Sequence, residues 1–296
     1  MKTPIVAITG GKGGTGKSTI SVNLAVKLTE NLKVLLVDAD VDNPNDSTLL
    51  GCEVHKIKDL KLFAPNIDPI KCIKCGSCVK ICPEHALIMK PNNPPFLLID
   101  RCSGCMACKI ICPANAISNK GKILGELFKA EINNLTLIGA KLVIGEARSP
   151  LVVKGLIDHV LNIIEKNHYD IVLIDTAPGI QNTVIQALIR ANHAFVVTEP
   201  TPLGLYTLKL ITDALNKLNL PRSIIINRSD IPSTIKNELI SFAIQNKFKE
   251  YFEVPYDEKF IIASVKNNPI IKLYPESKGA KAITKIADYI KTAFIK

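Results

Sequence analysis

The chain has 296 residues, of which 37 are Lys or Arg and 27 are Asp or Glu, giving a formal net charge of +10. This length is sufficient for one large α/β domain with an insertion, or for two domains. No apolar run approaches the roughly 20 residues that span a bilayer, so we do not expect stable membrane association. The lysines are scattered rather than clustered, and we do not expect a nucleic acid partner either.

The first predicted strand, residues 4–9, leads directly into a glycine-rich loop and a predicted helix at residues 17–29. This loop contains the P-loop pattern G-x4-G-K-[ST] in the required order of strand, loop and helix. Glycines let backbone N–H groups approach phosphate oxygens, the lysine neutralises the β- and γ-phosphates, and the hydroxyl binds Mg²⁺. We therefore predict a site for ATP/ADP and Mg²⁺, with Ser18 as a metal ligand. The predicted phosphate-site residues are Gly11, Lys12, Gly13, Gly14, Thr15, Gly16, Lys17, Ser18 and Thr19.

Lys12 follows the first glycine of this pattern, in the form KGGTGKST. With this deviant Walker A sequence the chain resembles the MinD/ParA/nitrogenase iron protein class of P-loop ATPases. In that class the additional lysine reaches across a dimer interface to the nucleotide of the partner. The resemblance therefore implies that Lys12 is catalytic in trans, beside the catalytic Lys17, and that ATP closes a homodimer. A solvated loop lysine is the alternative interpretation.

Aspartates follow two predicted buried strands, residues 33–38 and 170–175. Carboxylates at the C-terminal ends of parallel strands can reach Mg²⁺, its hydration water or an attacking water. By resemblance to the class, Asp40 positions the attacking water and Asp38 supports it. Asp175 resembles the Walker B carboxylate that serves Mg²⁺.

Eight of the nine cysteines lie in two runs, KCIKCGSCVKICP and RCSGCMACKIICP, each reading Cys-x2-Cys-x2-Cys-x3-Cys-Pro. In two-cluster ferredoxins the first three thiolates of such a run hold one cluster, while the fourth ligates the other. The two runs thus predict two 4Fe-4S clusters with crossed ligation. The ligands are Cys72, Cys75, Cys78 and Cys112 for the first cluster, and Cys102, Cys105, Cys108 and Cys82 for the second.

Zinc and disulfides are the alternatives for these cysteines. Zinc sites use pairs of Cys or His with long spacers, rather than two four-cysteine runs that each end in Cys-Pro. Disulfides require an oxidising compartment, but Met1 leads directly into KTPIVAITGG without a signal-peptide pattern, so we expect a cytoplasmic protein with reduced thiols. Cys52 has no partner at ligand spacing, and we expect a small buried side chain there.

The second half of the chain alternates predicted helices at 181–190, 204–218 and 233–246 with predicted strands at 194–198 and 222–227. This alternation predicts an α/β fold with a mostly parallel, doubly wound sheet. The cysteine runs interrupt it. The predicted domains are therefore an ATPase domain formed by residues 1–58 and 135–296, and an inserted domain at 59–134 that resembles the pseudo-twofold bacterial ferredoxin.

Two further sets of residues have two interpretations each. Asn227, Arg228, Pro255 and Asp257 follow late strands, where the class often surrounds a purine, although loop capping explains them nearly as well. The last helix, residues 278–294, is amphipathic. MinD ends in a membrane-binding helix, but packing on the sheet is the interpretation we favour.

These features predict an ATP-hydrolysing iron-sulfur protein in which nucleotide-driven dimerisation is coupled to electron transfer through two clusters. Its expected partners are a second copy of the chain and unidentified redox donor and acceptor proteins. One alternative is iron-sulfur cluster assembly or delivery, for which two complete ligand sets are less suited than a labile shared site. The other is a redox-sensing switch of the MinD/ParA type that binds a partner according to cluster oxidation.

Overall fold

The computed structural model describes residues 3–295. The strands are β1 (Ile5–Thr9), β2 (Val34–Ala39), β3 (His55–Leu62), β4 (Pro65–Ile67), β5 (Leu87–Ile88), β6 (Phe96–Leu97), β7 (Ile117–Asn119), β8 (Lys122–Ile132), β9 (Leu135–Leu142), β10 (Ile171–Thr176), β11 (His193–Thr198), β12 (Arg222–Asn227) and β13 (Tyr251–Val254). The helices are α1 (Lys17–Leu28), α2 (Asp46–Leu50), α3 (Ser77–Lys80), α4 (Ala107–Ile110), α5 (Ser149–Lys166), α6 (Asn182–Leu188), α7 (Pro202–Lys217), α8 (Ile235–Gln245), α9 (Glu258–Val265), α10 (Ile270–Leu273) and α11 (Lys278–Phe294).

The large sheet has the strand order β13-β12-β11-β1-β10-β2-β9-β8-β3. From β13 to β9, neighbouring strands pair in parallel. The central strands β1, β2 and β10 are continuous buried runs, because helices cover both faces of a parallel sheet. The mostly parallel α/β sheet expected from the alternation is confirmed.

The core on one side of this sheet is formed mainly by α1 and α11. Ile20 of α1 and Ile283 of α11 are buried together with Val6 and Ile8 of β1. The predicted last helix is α11, and its apolar positions lie in this core rather than on a free surface. Cys52 is half-buried and packs against the same core. Within residues 3–295, no helix has the length and apolar composition of a membrane span.

Two features of the fold differ from the expectation. Helix α5 was not predicted, although its buried positions repeat with helical spacing; they are Ser149, Val152, Val153, Leu156, Ile157 and Val160. The insertion was expected to extend to residue 134, but β8 and β9 join the large sheet next to β2. Strand pairing therefore shortens the inserted segment.

The chain divides into two compact units, one formed by Met1–Lys58 with Glu126–Lys296 and the other by Asp59–Gly125. The second unit, called here the cysteine unit, contains all eight cysteines of the two runs. Besides the end of β3 and the start of β8, it contains two small antiparallel pairs, β4 with β7 and β5 with β6, the short helices α3 and α4, and a 3-10 turn at Ile99–Arg101.

Candidate nucleotide site and cysteine cavities

The loop between β1 and α1 depends on glycine conformations. Gly14 and Gly16 have φ angles of 79° and 89°, which side-chain-bearing residues rarely adopt. A Cβ at Gly16 would lie 2.4 Å from Nδ2 of Asn227, whereas a Cβ at Gly13 or Gly14 would meet no atom within 4 Å. The loop therefore has an open side next to the first turn of α1, which contains no acidic residue. This space fits a phosphate group.

Lys17 and Thr15 bring polar groups into the same loop. Lys17 is buried, and its Nζ donates a hydrogen bond of 3.1 Å to the carbonyl oxygen of Lys12. Burial lowers the pKa of Lys17, while the negative charges of Asp175 and Asp40 oppose that shift. The buried Oγ1 of Thr15 has no hydrogen-bond partner among residues 3–295. Both groups suit a bound phosphate, which would supply negative charge and acceptor oxygens.

The structure brings Ser18 and Asp175, the two predicted Mg²⁺ residues, into direct contact. Oγ of Ser18 donates to Oδ2 of Asp175 over 2.5 Å, and Oγ of Ser21 donates to the other carboxylate oxygen over 3.0 Å. Burial raises the pKa of Asp175 to about 6, although these hydroxyl groups and Lys17 stabilise the carboxylate. A serine hydroxyl beside a buried carboxylate is an arrangement of oxygen ligands that suits Mg²⁺.

Three aspartates form a buried cluster at this edge of the sheet. Asp38, Asp46 and Asp175 each offer a carboxylate oxygen within 4.8 Å of the others. Burial, followed by the charge of Asp175, raises the pKa of Asp38 to about 8. Asp46 is fully buried, and neither of its carboxylate oxygens has a partner within the described chain. Burial and the charge of Asp38 raise the pKa of Asp46 well above its usual range.

Asp46 was missed by sequence reasoning, and its unsatisfied oxygens fit a nearby cation. Asp38 accepts hydrogen bonds from the backbone N–H groups of Asp40, Asn45 and Asp46, so the turn after β2 folds around its carboxylate. This turn places the start of α2, and hence Asp46, beside the predicted acids. The sequence signal was an additional carboxylate eight residues after Asp38 in the same loop.

Asp40 is more accessible than the clustered acids. Its Oδ1 accepts a hydrogen bond from the backbone N–H of Asn43 over 3.3 Å. Burial raises the pKa of Asp40, and the Asn43 hydrogen bond opposes the shift. Asp40 and Lys17 lie close enough for each charge to affect the pKa of the other group. The predicted water-positioning carboxylate is therefore beside the P-loop.

A second residue missed by sequence reasoning, Glu199, connects Lys12 to Arg228. Nζ of Lys12 lies 2.9 Å from Oε2 of Glu199, and the guanidinium of Arg228 donates to Oε1. Glu199 is only 5% exposed, whereas the Lys12 side chain retains partial solvent contact. In this structure the predicted trans lysine is thus held within its own chain. The pairing could not be read from sequence because 187 residues separate the two side chains along the chain.

The four predicted base-contact residues line one cleft. It has a volume of about 270 Å³ and includes Gly16 and Thr19 of the P-loop region. Asn227 also donates from Nδ2 to the carbonyl oxygen of Thr15 over 2.8 Å. The residues brought together here are Asn227, Arg228, Pro255 and Asp257, with Tyr256, Phe260 and Ile261 adding apolar surface. A cleft of this kind next to a P-loop suits a nucleotide base.

Asp257 has a structural role within this cleft. Its Oδ1 accepts from the backbone N–H of Lys259 at the start of α9, and its Oδ2 accepts from Gly279 at the start of α11. Burial alone would raise the pKa of Asp257, but these N–H donors hold it below its usual range. Helix capping therefore occupies both carboxylate oxygens. The capping interpretation holds for Asp257.

The cysteine unit repeats its backbone conformation every 30 residues. Left-handed φ angles occur at Lys74 and Gly104, at Gly76 and Met106, and at His85 and Asn115. The halves also exchange equivalent hydrogen bonds of 2.8 Å, from Asp68 N to Ala116 O and from Leu98 N to Ala86 O. This exchange gives the unit an approximate twofold internal repeat, like that expected from the cysteine runs.

Each half of the unit contributes to two small cavities. One is lined by Cys72, Cys75, Cys78 and Cys112, and the other by Cys82, Cys102, Cys105 and Cys108. All nine cysteines are free thiols, so no disulfide competes for them. Four thiols around each cavity form a donor set that fits one 4Fe-4S cluster. Backbone N–H groups of Ala86 and Ala116 also donate to the sulfurs of Cys82 and Cys112 over 3.3 Å.

Comparisons with known proteins agree with this nucleotide site. Residues 6–270 match the CbiA family, the CobQ/CobB/MinD/ParA nucleotide binding domain. Among curated proteins, the uncharacterized protein MJ0579 of Methanocaldococcus jannaschii is 35% identical over 269 residues, covering 90% of this chain and 91% of that protein. An iron-sulfur cluster carrier protein of Aquifex aeolicus is 25% identical, covering 96% of this chain and 66% of the carrier.

Among solved structures, the septum site-determining protein MinD from Pyrococcus horikoshii, complexed with Mg-ADP, shares the fold with a TM-score of 0.60. The two chains are 24% identical, and the match covers 97% of this chain and 96% of MinD. The fold and the site thus define a P-loop nucleotide-binding α/β protein. The chain belongs to the CobQ/CobB/MinD/ParA family, and it is a P-loop ATPase of the MinD/ParA type.

Proposed function

We propose that this protein is an ATP-hydrolysing iron-sulfur protein that couples nucleotide-driven dimerisation to electron transfer through two 4Fe-4S clusters. The observation that carries the proposal is the presence of two four-cysteine cavities in a chain whose other unit contains a complete P-loop site. A protein that only bound a partner in response to ATP would have no use for eight converging thiols.

The ligand sets follow the cavities. Cys72, Cys75, Cys78 and Cys112 would hold one cluster, and Cys102, Cys105, Cys108 and Cys82 the other. When bound, the clusters supply one-electron redox centres at low potential. The protein holds the thiols in short loops and partly screens them from water. Cys78 and Cys108 are buried with Leu87 and Ile117 in the core of the unit.

On the nucleotide side, Lys17 would neutralise the β- and γ-phosphates, while Ser18 and Asp175 would serve Mg²⁺. Asp40 would position the attacking water, with Asp38 supporting the loop that carries it. The cleft next to Gly16 would hold the base, with Asn227, Arg228 and Pro255 in contact and Asp257 fixing the walls. These roles are consistent with the contacts of Ser18 with Asp175 and of Asn227 with Thr15.

ATP would close a homodimer in which Lys12 reaches the nucleotide of the partner subunit. Lys12 is paired with Glu199 in the single chain, so this movement requires the ion pair to break. Dimerisation and hydrolysis would thereby depend on the same lysine.

Chain continuity supports coupling between nucleotide and clusters. Asp46 of the acidic cluster begins α2, which ends at Leu50, and β3 starts at His55. The chain enters the cysteine unit within β3 and leaves it within β8. About a dozen residues of chain therefore connect Asp46, in the loop proposed to surround the nucleotide metal, to the cysteine unit, without an extended linker. A movement of that loop could be transmitted along this segment.

Cluster delivery is the second candidate, favoured by the similarity to the iron-sulfur cluster carrier protein of Aquifex aeolicus. The four thiols that line each cavity argue against delivery, because a completely ligated cluster is retained rather than transferred.

The two candidates can be separated by following iron during ATP turnover. Holo-protein is incubated anaerobically with MgATP and an apo-ferredoxin, and the proteins are then separated and assayed for iron. If the protein transfers electrons, we expect it to keep roughly nine-tenths or more of its starting iron, because each cluster has its full ligand set. ATP-dependent transfer of iron to the apo-ferredoxin would refute retention and support delivery.

A further inference from the structure

The two cysteine loops have matching backbones but different side chains. Residues 70–75 and 100–105 are equivalent in the 30-residue repeat, and the fifth residue of each loop has a left-handed φ, 60° at Lys74 and 74° at Gly104. The first loop presents Ile70, Lys71, Ile73 and Lys74 where the second has Asp100, Arg101, Ser103 and Gly104. Glycine suits this conformation better than lysine does, so backbone geometry alone does not account for Lys74.

At Gly104 the second loop is covered by the chain that precedes it, whereas Asp100, Arg101 and Ser103 of this loop are exposed. A Cβ on Gly104 would lie 2.3 Å from Cδ1 of Leu62 and 3.3 Å from the carbonyl oxygen of Phe63. Only glycine fits this close approach. Another protein could not pack a side chain against Gly104 without displacing Leu62.

The first loop is open. Ile70 is 94% exposed and Ile73 is 65% exposed, and Lys74 is also exposed. Ile73, Lys74 and Cys75 also line the first cysteine cavity. A molecule that contacts Ile73 or Lys74 from outside is therefore separated from that cavity only by the loop itself.

The charged side chains of this unit are mostly positive, counted without the negative charge that thiolate-ligated clusters add. Residues 59–125 contain nine Lys or Arg residues and four Asp or Glu residues. Within the described chain Lys74 forms no ion pair, and Lys71 has only an exposed contact with Asp68 at 3.9 Å. Two lysines and two exposed isoleucines thus alternate around Cys72, and of the two lysines only Lys71 has an ionic contact, the long one with Asp68.

We propose that the surface formed by Ile70, Lys71, Ile73 and Lys74, called the 70–74 surface, docks an acidic electron-carrier protein. The inference deepens the proposed function and rests on it, because it assumes a cluster behind the first loop. Carboxylates of the carrier would pair with the two lysines and steer association, while the isoleucines would supply the desolvated centre of a small contact. The first cluster is then the one that exchanges electrons with this carrier.

Binding of two purified carriers tests the proposal. An acidic flavodoxin and an acidic two-cluster ferredoxin are titrated into anaerobic holo-protein by calorimetry, at low and at physiological ionic strength. At least one carrier is expected to bind, more weakly as salt increases. Lys71→Glu/Lys74→Glu is expected to weaken that binding at least about tenfold because both steering charges reverse. Ile70→Ser/Ile73→Ser should weaken it at both salt concentrations.

The matched control is Lys109→Glu/Lys120→Glu, which reverses two exposed lysines of the same unit and changes the net charge equally. It is expected to weaken binding less than about threefold, because these two lysines are not part of the 70–74 surface. Iron content and the cluster absorption of every variant establish that the clusters are retained. Equal weakening by the two charge pairs, or no binding of either carrier, would overturn the proposal.

Anionic phospholipid vesicles provide the remaining arm. Vesicle binding that depends on Lys71 and Lys74, without carrier binding, would replace the carrier with a membrane surface and overturn the inference. If the carrier binds but ATP has no effect on electron delivery, the proposed coupling is refuted and the docking surface stands. Intact coupling without carrier binding would refute the docking surface alone.

Discussion

Asp46 is completely buried and has two carboxylate oxygens without a partner in the described chain. Its neighbours Asp38 and Asp175 are also carboxylates, so three acids repel one another in a site of low dielectric. Such a cluster is costly without a cation, and it is well suited to an ATPase whose Mg²⁺ arrives with the nucleotide. The cost should be visible in the pH dependence of stability when metal and nucleotide are absent.

The pKa of Asp38 is raised to about 8 and that of Asp175 to about 6, against ordinary values near 4. Native protein therefore binds more protons than unfolded protein, and stability falls as pH rises from about 4 through 8. Asp46→Asn should raise the free energy of unfolding at pH 8 by about 1–3 kcal/mol and flatten this dependence. Chemical denaturation in EDTA, without nucleotide, measures both effects. Asp213→Asn, at an exposed position, is the control, and equal behaviour of the two variants would contradict this account.

The contact between Lys12 and Glu199 makes a second prediction at the residue scale. If Lys12 must leave Glu199 before the dimer closes, breaking this ion pair costs about 1 kcal/mol of the dimerisation free energy. Glu199→Gln removes that cost and should tighten the ATP-dependent dimer several-fold. Lys12→Ala should instead weaken the dimer and slow hydrolysis. Analytical ultracentrifugation with a non-hydrolysable ATP analogue measures the first effect, and phosphate release measures the second. Glu253→Gln, which removes a surface ion pair with Lys236, should leave the dimer unchanged. Normal hydrolysis by Lys12→Ala would exclude a role in trans.

At the scale of elements, the cysteines of the two runs lie in loops and in the short helices α3 and α4. Single substitutions of these cysteines test the crossed ligation of the two clusters. Cys82 belongs to the first run but lines the cavity of the second. Cys82→Ser should therefore change the electron paramagnetic resonance spectrum of the reduced protein as Cys105→Ser does, and not as Cys75→Ser does. A Cys82→Ser spectrum that matches Cys75→Ser would show that each run holds its own cluster.

Substitutions in helix α11 distinguish packing of this helix on the sheet from membrane binding. Ile286 is 1% exposed within the main core, whereas Lys285 on the same helix is exposed. Ile286→Ala should lower the free energy of unfolding by about 2–5 kcal/mol, as large-to-small changes in cores do. Lys285→Ala should change it by no more than about 0.5 kcal/mol. Unchanged stability of Ile286→Ala, together with lost vesicle binding, would favour a membrane anchor instead.

The sequence predicted elements better than it predicted contacts between them. Residues of the P-loop and of β1, β2 and β10 carry strong local signals, because a buried parallel strand is a continuous apolar run and a phosphate loop needs glycine. Helix α5 escaped prediction because its valines, isoleucines and Gly155 have low helix propensity. Packing against β9 and α6 outweighs that propensity.

Pairings in space were the part that local pattern could not supply. Glu199 reaches Lys12 only after β11 has aligned beside β1, and Asp46 reaches Asp175 only after the turn has folded around Asp38. Strand β8 lies within the predicted insertion, but it joins the large sheet between its sequence neighbour β9 and the more distant β3. Tertiary pairing, rather than the local sequence, decides the contacts of Glu199 and Asp46.

At the scale of the whole molecule, the chain combines a MinD/ParA-type ATPase with a cysteine unit that it enters and leaves through continuous strands. In the proposed function, ATP changes the state of the nucleotide unit through the loops that carry Lys12, Asp40 and Asp46. The cysteine unit has two cavities, each lined by four thiols, which would hold the two proposed clusters. We propose that this change in the nucleotide unit controls electron flow through the clusters of the cysteine unit.

The most direct test is the rate at which reduced holo-protein passes electrons to an excess of acidic flavodoxin, followed anaerobically by stopped-flow absorption. With MgATP the account predicts a rate at least about tenfold higher, a change of about 1.4 kcal/mol in the barrier. Lys12→Ala, with its clusters intact, should show the slow rate with or without MgATP. An identical rate for the wild-type protein in the presence and absence of MgATP would contradict the coupling of nucleotide to electron transfer.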